Sequence, residues 1–257
     1  MSQGNSDMIP DDKLSSCSHV VSPLFGRVPL DFLVQGDFHQ CPYLPGRVAR
    51  EEMFRALEFP PELYHDFMDH GFRRSGYYFY RPVCPRCKEC RPIRVVVPGH
   101  RLTKSLRRII NKNRDVALKI GKPRVTAEKH SLYCRYLEAQ HNGYQSSAIE
   151  DLRRFLYNSA VHTLEFEYRL LDRLIAVGIV DVCSRSLSTV YAYYEPEFSH
   201  RSLGTFSALE EIRFCREHGV PYYYLGYYVA GCKSMSYKNR FEPNEILDLS
   251  TLWWTKG

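Results

Sequence analysis

The chain has 257 residues, a net charge of +6 and 44% hydrophobic residues, enough apolar material for a proper core. No run approaches the ~20 apolar residues that a membrane-spanning helix needs. Nine cysteines, odd in number and mostly isolated, lack the paired framework of a secreted disulfide-rich domain, so reduced thiols and a cytoplasmic location are expected.

Residues 1–19 have neither the basic start nor the apolar run of a secretory signal and are expected to be a disordered N-terminus. A first region, 20–125, opens with "DFHQCPYLPGRVAREEMF", where Pro42, Pro45 and Gly46 break a loop before a predicted helix carrying Met53, Phe54 and Leu57. A second helix is predicted in "PPELYHDFMDHGF": the prolines open it, Leu63 and Phe67 lie one turn apart, and Gly71 stops it. "SGYYFYRPV" and "RPIRVVVPG" read as two strands. Their connection, which holds Cys84, Cys87 and Cys90, is therefore expected to be a hairpin tip.

Charge is concentrated rather than spread. From Arg81 to Arg124 there are fourteen Lys and Arg against Glu89 and Asp115, a local +12, so the remainder carries about −6. "TKSLRRIINKNRD" starts as a helix with Lys104, Arg108 and Lys112 on one face and Arg107 beside them. A cationic ridge with so few interleaved acids suits a phosphate backbone better than bulk solvent.

The second region, 126–257, begins with the helical stretches "TAEKHSLYCRYLEAQ", ending near Gly143, and "AIEDLRRFLYNS". "HTLEFEYRL" alternates Leu164, Phe166 and Tyr168 with charged neighbours, "LDR" turns, and "LIAVGIVDVC" is the continuous apolar run of a central strand. "STVYAYYEP", the loop "EFSHRSLG", the helix "TFSALEEIRFCREHG" and the strand "PYYYLGYYV" follow. This order matches the core of the GNAT acyltransferase fold. The expected class is α+β, with a GNAT-like C-terminal half and a smaller cysteine-containing α/β N-terminal region.

In acetyltransferases of that fold the loop before the helix carries small residues so that backbone amides can approach a pyrophosphate. Here Ser202, Leu203 and Gly204 form the corresponding donor loop, but Phe206 stands where a small residue belongs. That departure, together with the basic ridge, favours a donor that is itself nucleic acid, an aminoacyl-tRNA. The stretches "GFRRSGYYFYRPVC", "CRPI", "STVYAYYEPEFSHRSLGTFSALEEI" and "YYYLGYYVAGCKSMSYKNRFEP" resemble, in that order, the aminoacyl-tRNA protein transferase family. The "CPYLPGR" motif at Cys41 to Arg47 is similar to its bacterial aspartate/glutamate leucyltransferase branch.

The resemblance implies transfer of leucine from Leu-tRNA to the N-terminal Asp or Glu of proteins marked for degradation. Arginine transfer and coenzyme A-dependent acetylation are the alternatives. Acceptor binding is expected from Arg73, Arg74 and Lys238, with Arg81 and Lys233 behind them, because these lie in motifs shared by branches that accept acidic N-termini. tRNA binding falls to Lys104, Arg107, Arg108 and Lys112. Tyr191, Tyr193, Tyr194, Tyr224, Tyr227 and Tyr228 flank the expected cleft. No catalytic pairing stands out, and Tyr194, His200 and Tyr227 are the candidates. No cofactor is expected. A zinc ion or iron–sulfur cluster on Cys41, Cys84, Cys87 and Cys90 is the alternative, as is thiol chemistry promoted by the surrounding charge.

Overall fold

The computed structural model describes residues 33–141 and 146–257; the expected N-terminal segment 1–19 and the helix stop at Gly143 lie outside them. In chain order, β1 (Val34–Gln35), β2 (His39–Gln40), β3 (Val48–Ala49) and β4 (Glu51–Arg55) precede α1 (Pro61–Asp69), β5 (Arg73–Ser75), β6 (Tyr78–Pro82) and β7 (Arg91–Val96). Next come α2 (Lys104–Lys112), β8 (Val116–Gly121), α3 (Ala127–His141) and the single turn α4 (Ile149–Leu152), which runs into π-helical backbone over Arg153–Tyr157. β9 (Thr163–Leu170), β10 (Arg173–Val182), β11 (Ser186–Tyr194), α5 (Leu203–Glu217), β12 (Tyr222–Tyr228), α6 (Lys233–Ser236), β13 (Asn244–Asp248) and β14 (Trp253–Lys256) complete the described chain.

Eight strands form the main sheet in the order β14-β13-β7-β12-β11-β10-β9-β8. Its neighbours are antiparallel except β11 and β12, which run parallel. A parallel pair needs a crossover, and α5 supplies it. The pair is in register only at Ser186–Tyr222, Leu187–Tyr223 and Ser188–Tyr224. Beyond these residues the strands part into a fork. β12 is also irregular here, because its register against β7 shifts between Tyr224 and Tyr227, where Gly226 has φ +88°. A left-handed residue in a strand marks a bulge that only glycine adopts without strain.

Both faces of this sheet are covered. α5 packs Leu203, Phe206, Leu209 and Ile212 against Phe166, Tyr168, Ile175, Tyr223 and Leu225. On the opposite face, α1 and a second sheet of order β1-β4-β6-β5 enclose Phe54, Phe59, Phe67, Phe72, Phe79 and Tyr224, with Phe54 stacked on Phe79 at 5.0 Å. Each such ring contributes about 1.5–3 kcal/mol by leaving water. α3 and residues 149–157 cover Val177, Ile179 and Tyr193.

Three expectations are corrected. Residues 51–55 form strand β4 rather than a helix, because Glu52 and Phe54 are buried with period two and pair with β6. β6 and β7 belong to different sheets, so the cysteine-bearing segment between them bridges sheets rather than tipping a hairpin. The expected boundary near residue 125 is crossed by the main sheet, which takes β7 and β8 from the first region.

Candidate functional site

The fork between β11 and β12 collects the charged residues of interest. Arg73 on β5 is buried (6% exposed) and donates through Nη2 to the Thr189 carbonyl at 3.0 Å, the first β11 residue beyond its register with β12. Its Nη1 faces the Met68 sulfur at 3.7 Å. Lys238, in the 3-10 turn Tyr237–Arg240, is equally buried (8%) and donates Nζ to the Tyr227 carbonyl at 2.8 Å. Both converge on Gly226: a Cβ there would lie 3.4 Å from Lys238 Nζ and 3.7 Å from Arg73 Nη2. Among the described residues, their partners are carbonyls and thioether sulfurs, and neither forms an ion pair. Burial, then repulsion from Arg73, pushes Lys238 down from 10.5 to about 7. Two buried cations without an anion cost several kcal/mol. Charges held at such a cost concentrate at functional sites.

The other expected acceptor residues are placed differently. Arg74 points into the core, where its side chain is fully buried. It holds Asp181 through Nε at 2.7 Å and Nη2 at 2.6 Å, and gives Nη1 to the carbonyls of Gly76 and Asn158. Its charge is matched and its donors are used, so it is a structural ion pair rather than a free clamp. Arg81 pairs with Glu52, donates to the His70 carbonyl and lies over the Phe72 ring. Lys233 is exposed at the start of α6. Tyr227, a catalytic candidate by sequence, spends its hydroxyl on the Gly71 carbonyl at 2.9 Å inside the core.

The donor loop lies against the basic helix. Ser202 adopts left-handed φ/ψ of 56° and 47° and opens α5 without a side-chain cap. A Cβ on Gly204 would touch the Tyr194 ring at 3.4 Å, which puts Tyr194 beside the α5 N-terminus and 5.0 Å from the Tyr136 ring. Phe206 is buried, 5.7 Å from Tyr168. Its bulk therefore enters the core and does not obstruct the amides ahead of it, contrary to the sequence expectation. Arg201 grips Asp115 at 2.7 and 3.0 Å, and Lys112 Nζ donates to the His200 carbonyl at 2.9 Å. Asn113 Nδ2 donates to the carbonyls of Ile109 and Arg201, both at 2.9 Å. His200 itself is exposed, and its backbone rather than its ring is what the loop uses. Lys104, Arg107 and Arg108 lie exposed on α2.

A serine–histidine–aspartate alignment does exist: Ser186 Oγ is 2.9 Å from His65 Nδ1, and His65 Nε2 is 3.8 Å from Asp69. Ser186 is completely buried, so this is core hydrogen bonding and not a nucleophile.

The cysteines are neighbours, as folding back of the loop onto their segment requires. Cys41, Cys84 and Cys87 all act electrostatically on Cys90, whose thiol is pushed up to about 12, chiefly by burial. Burial also raises Cys84. This reverses the expectation that nearby arginines would favour thiolates. Arg47 donates to Cys87 Sγ at 3.3 Å and Cys84 Sγ faces the Arg50 carbonyl at 3.8 Å. Among the described residues no group of three or more His, Cys, Asp or Glu is disposed to hold a metal ion.

Sequence reasoning missed Thr189, Gly226 and Glu211. Gly226 was legible as the lone glycine inside "YYYLGYYV", a bulge signal. Glu211 falls four residues after Ser207 on the buried side of α5.

Residues 39–108 match the family profile described as arginine-tRNA-protein transferase, N terminus, and residues 128–248 match its C terminus. An aspartate/glutamate leucyltransferase of Campylobacter jejuni (strain RM1221) is 34% identical over 213 residues, covering 81% of this chain and 89% of its own length. The protein of that name from Sinorhizobium medicae (strain WSM419) is 37% identical over 221 residues, covering 80% and 85%. Among solved structures, FemX is 8% identical with a TM-score of 0.42, covering 70% of this chain and 75% of its own. The PaiA N-acetyltransferase of Thermoplasma acidophilum is 16% identical with a TM-score of 0.31, covering 40% and 75%. With both profiles matched in order and such relatives spanning most of its length, the chain belongs to the arginine-tRNA-protein transferase family.

Proposed function

We propose that the protein transfers leucine from leucyl-tRNA to the N-terminal Asp or Glu of acceptor proteins by aminolysis of the aminoacyl ester. Family membership supports the reaction class, and the names of the relatives support leucine and the acidic acceptor. The single observation that carries the acceptor chemistry is the pair Arg73 and Lys238, buried at the fork with no carboxylate partner among the described residues. A planar guanidinium binds carboxylate through two hydrogen bonds, and an entering Asp or Glu side chain supplies the missing anion.

With the side chain held there, the acceptor α-amine is confined near the root of the fork. Its reference pKa of ~7.7–8.0 leaves a useful fraction as free base at neutral pH, so orientation is the main requirement. The nitrogen attacks the ester carbonyl, the amide C–N bond forms, the C–O bond to ribose breaks, and the amine proton ends on the ribose oxygen, relayed by the neighbouring hydroxyl. The tRNA backbone lies along α2, whose C-terminal end is bonded to the loop 196–201, and the aminoacyl end enters past Gly204 and Tyr194.

Arg73→Met tests the clamp. The variant should bind leucyl-tRNA normally and lose the preference for Asp over Ala peptides. Retained preference removes Arg73 from acceptor recognition.

A further inference from the structure

On the side of the main sheet covered by α5 lies a buried carboxyl with no part in the proposed aminolysis. Glu211 on α5 is 1% exposed and has no ion-pair partner among the described residues. It accepts from the Tyr223 hydroxyl at 2.6 Å and from the Ser207 hydroxyl at 2.7 Å, and it also hydrogen-bonds the Thr189 side chain. The packing is built around it: a Cβ on Gly178 would come within 2.9 Å of both Glu211 Oε1 and Ser207 Oγ. A carboxyl this deep is costly unless its hydrogen bonds are used for something.

Thr189 joins this group to the fork. It follows Ser188, the last β11 residue in register with β12. Its side chain is held from the α5 face by Glu211 and Tyr223, while its carbonyl is held from the other face by Arg73. A shift of the Thr189 peptide therefore moves the guanidinium.

We propose that Glu211 is a positioning residue for acceptor recognition, fixing the Thr189 peptide from the α5 face so that its carbonyl sets the guanidinium of Arg73 at the fork. This rests on the acceptor-clamp reading given above. The hydroxyls of Tyr223, Ser207 and Thr189 all reach the carboxyl, whose two oxygens have lone pairs enough to accept from all three. Burial raises this carboxyl to about 7. The titratable groups facing it are Tyr168 on β9, Cys215 on α5, Tyr223 on β12 and Tyr237 after α6; none is a cation.

The test is steady-state kinetics of Glu211→Gln, Thr189→Val and the double variant with an Asp peptide and leucyl-tRNA. Each single variant should raise KM for the Asp peptide by about tenfold, with kcat and the KM for leucyl-tRNA within about twofold. The double variant should be no worse than either single one, because both cut the same link. If Glu211→Gln does not fold, Thr189→Val carries the test. Unchanged acceptor KM with a lowered melting temperature, or additive effects in the double variant, would overturn the proposal. Failure of the wild-type protein to prefer acidic peptides would instead sink the functional reading beneath it.

Discussion

Lys238→Met isolates the cost of keeping a cation in wait. In the unfolded chain this lysine titrates at its ordinary 10.5, whereas in the fold it is pushed down to about 7. At ~1.36 kcal/mol per pKa unit, that displacement corresponds to roughly 5 kcal/mol of unfavourable burial at neutral pH. Methionine has a similar length and no charge to desolvate, but it leaves the Tyr227 carbonyl without its donor, a loss of about 1–3 kcal/mol. The variant should therefore be more stable than the wild type by about 2–4 kcal/mol at pH 7. The sign follows from proton binding. Between pH 7 and 10.5 the unfolded wild-type chain holds the proton that the fold has released, so wild-type stability rises with pH. The advantage of the variant should then shrink by about 1.4 kcal/mol per pH unit. Urea unfolding at pH 7, 8 and 9, with linear extrapolation, reads both quantities, and transfer to acidic peptides should be lost throughout. A destabilised variant, or a difference that does not change with pH, would mean that an anion already compensates Lys238 in the free protein.

Arg74→Ala should break the buried pair with Asp181 and cost about 3–5 kcal/mol, so thermal denaturation should register the loss rather than any change in acceptor choice. Replacing Lys104 and Arg108 with Ala should weaken leucyl-tRNA binding and reduce the slope of log affinity against log salt by about two contacts at ~0.9 each. Filter binding at several salt concentrations measures this, and the preference for Asp over Ala peptides should be unchanged. Cys90, with its thiol near 12, should alkylate at pH 8 at least ~100-fold more slowly than an unperturbed cysteine. Peptide mass spectrometry under timed iodoacetamide treatment checks that, and elemental analysis of protein purified without oxygen should find well under one equivalent of zinc or iron.

Elements governed by local pattern were legible in the sequence. The helices α1, α2, α3 and α5 and the strands β9 to β12 follow from apolar spacing, prolines and stop glycines, and their order fits the crossover in which α5 joins the parallel pair β11 and β12. What failed was long-range. "REEMF" alternates with period two only because β6 lies beside it, and nothing local says that β6 and β7 enter different sheets. Among the site residues, Arg73 and Arg74 are adjacent in sequence and indistinguishable by motif. In a strand they point to opposite faces, so one meets Asp181 and the other meets the fork. Asp181 lies 107 residues from Arg74, a separation no spacing argument spans. The thiol expectation failed for a related reason, since charge density along the chain does not report burial.

Donor and acceptor are both decided by mixing the purified protein with leucyl-tRNA, arginyl-tRNA or acetyl-CoA and peptides beginning with Asp, Glu or Ala, then weighing the products. The Asp and Glu peptides should gain one leucyl residue from leucyl-tRNA alone, without ATP or coenzyme A. Transfer of arginine in place of leucine would contradict the donor assignment, and acetylation, or equal modification of the Ala peptide, would contradict tRNA-dependent leucyl transfer to acidic N-termini.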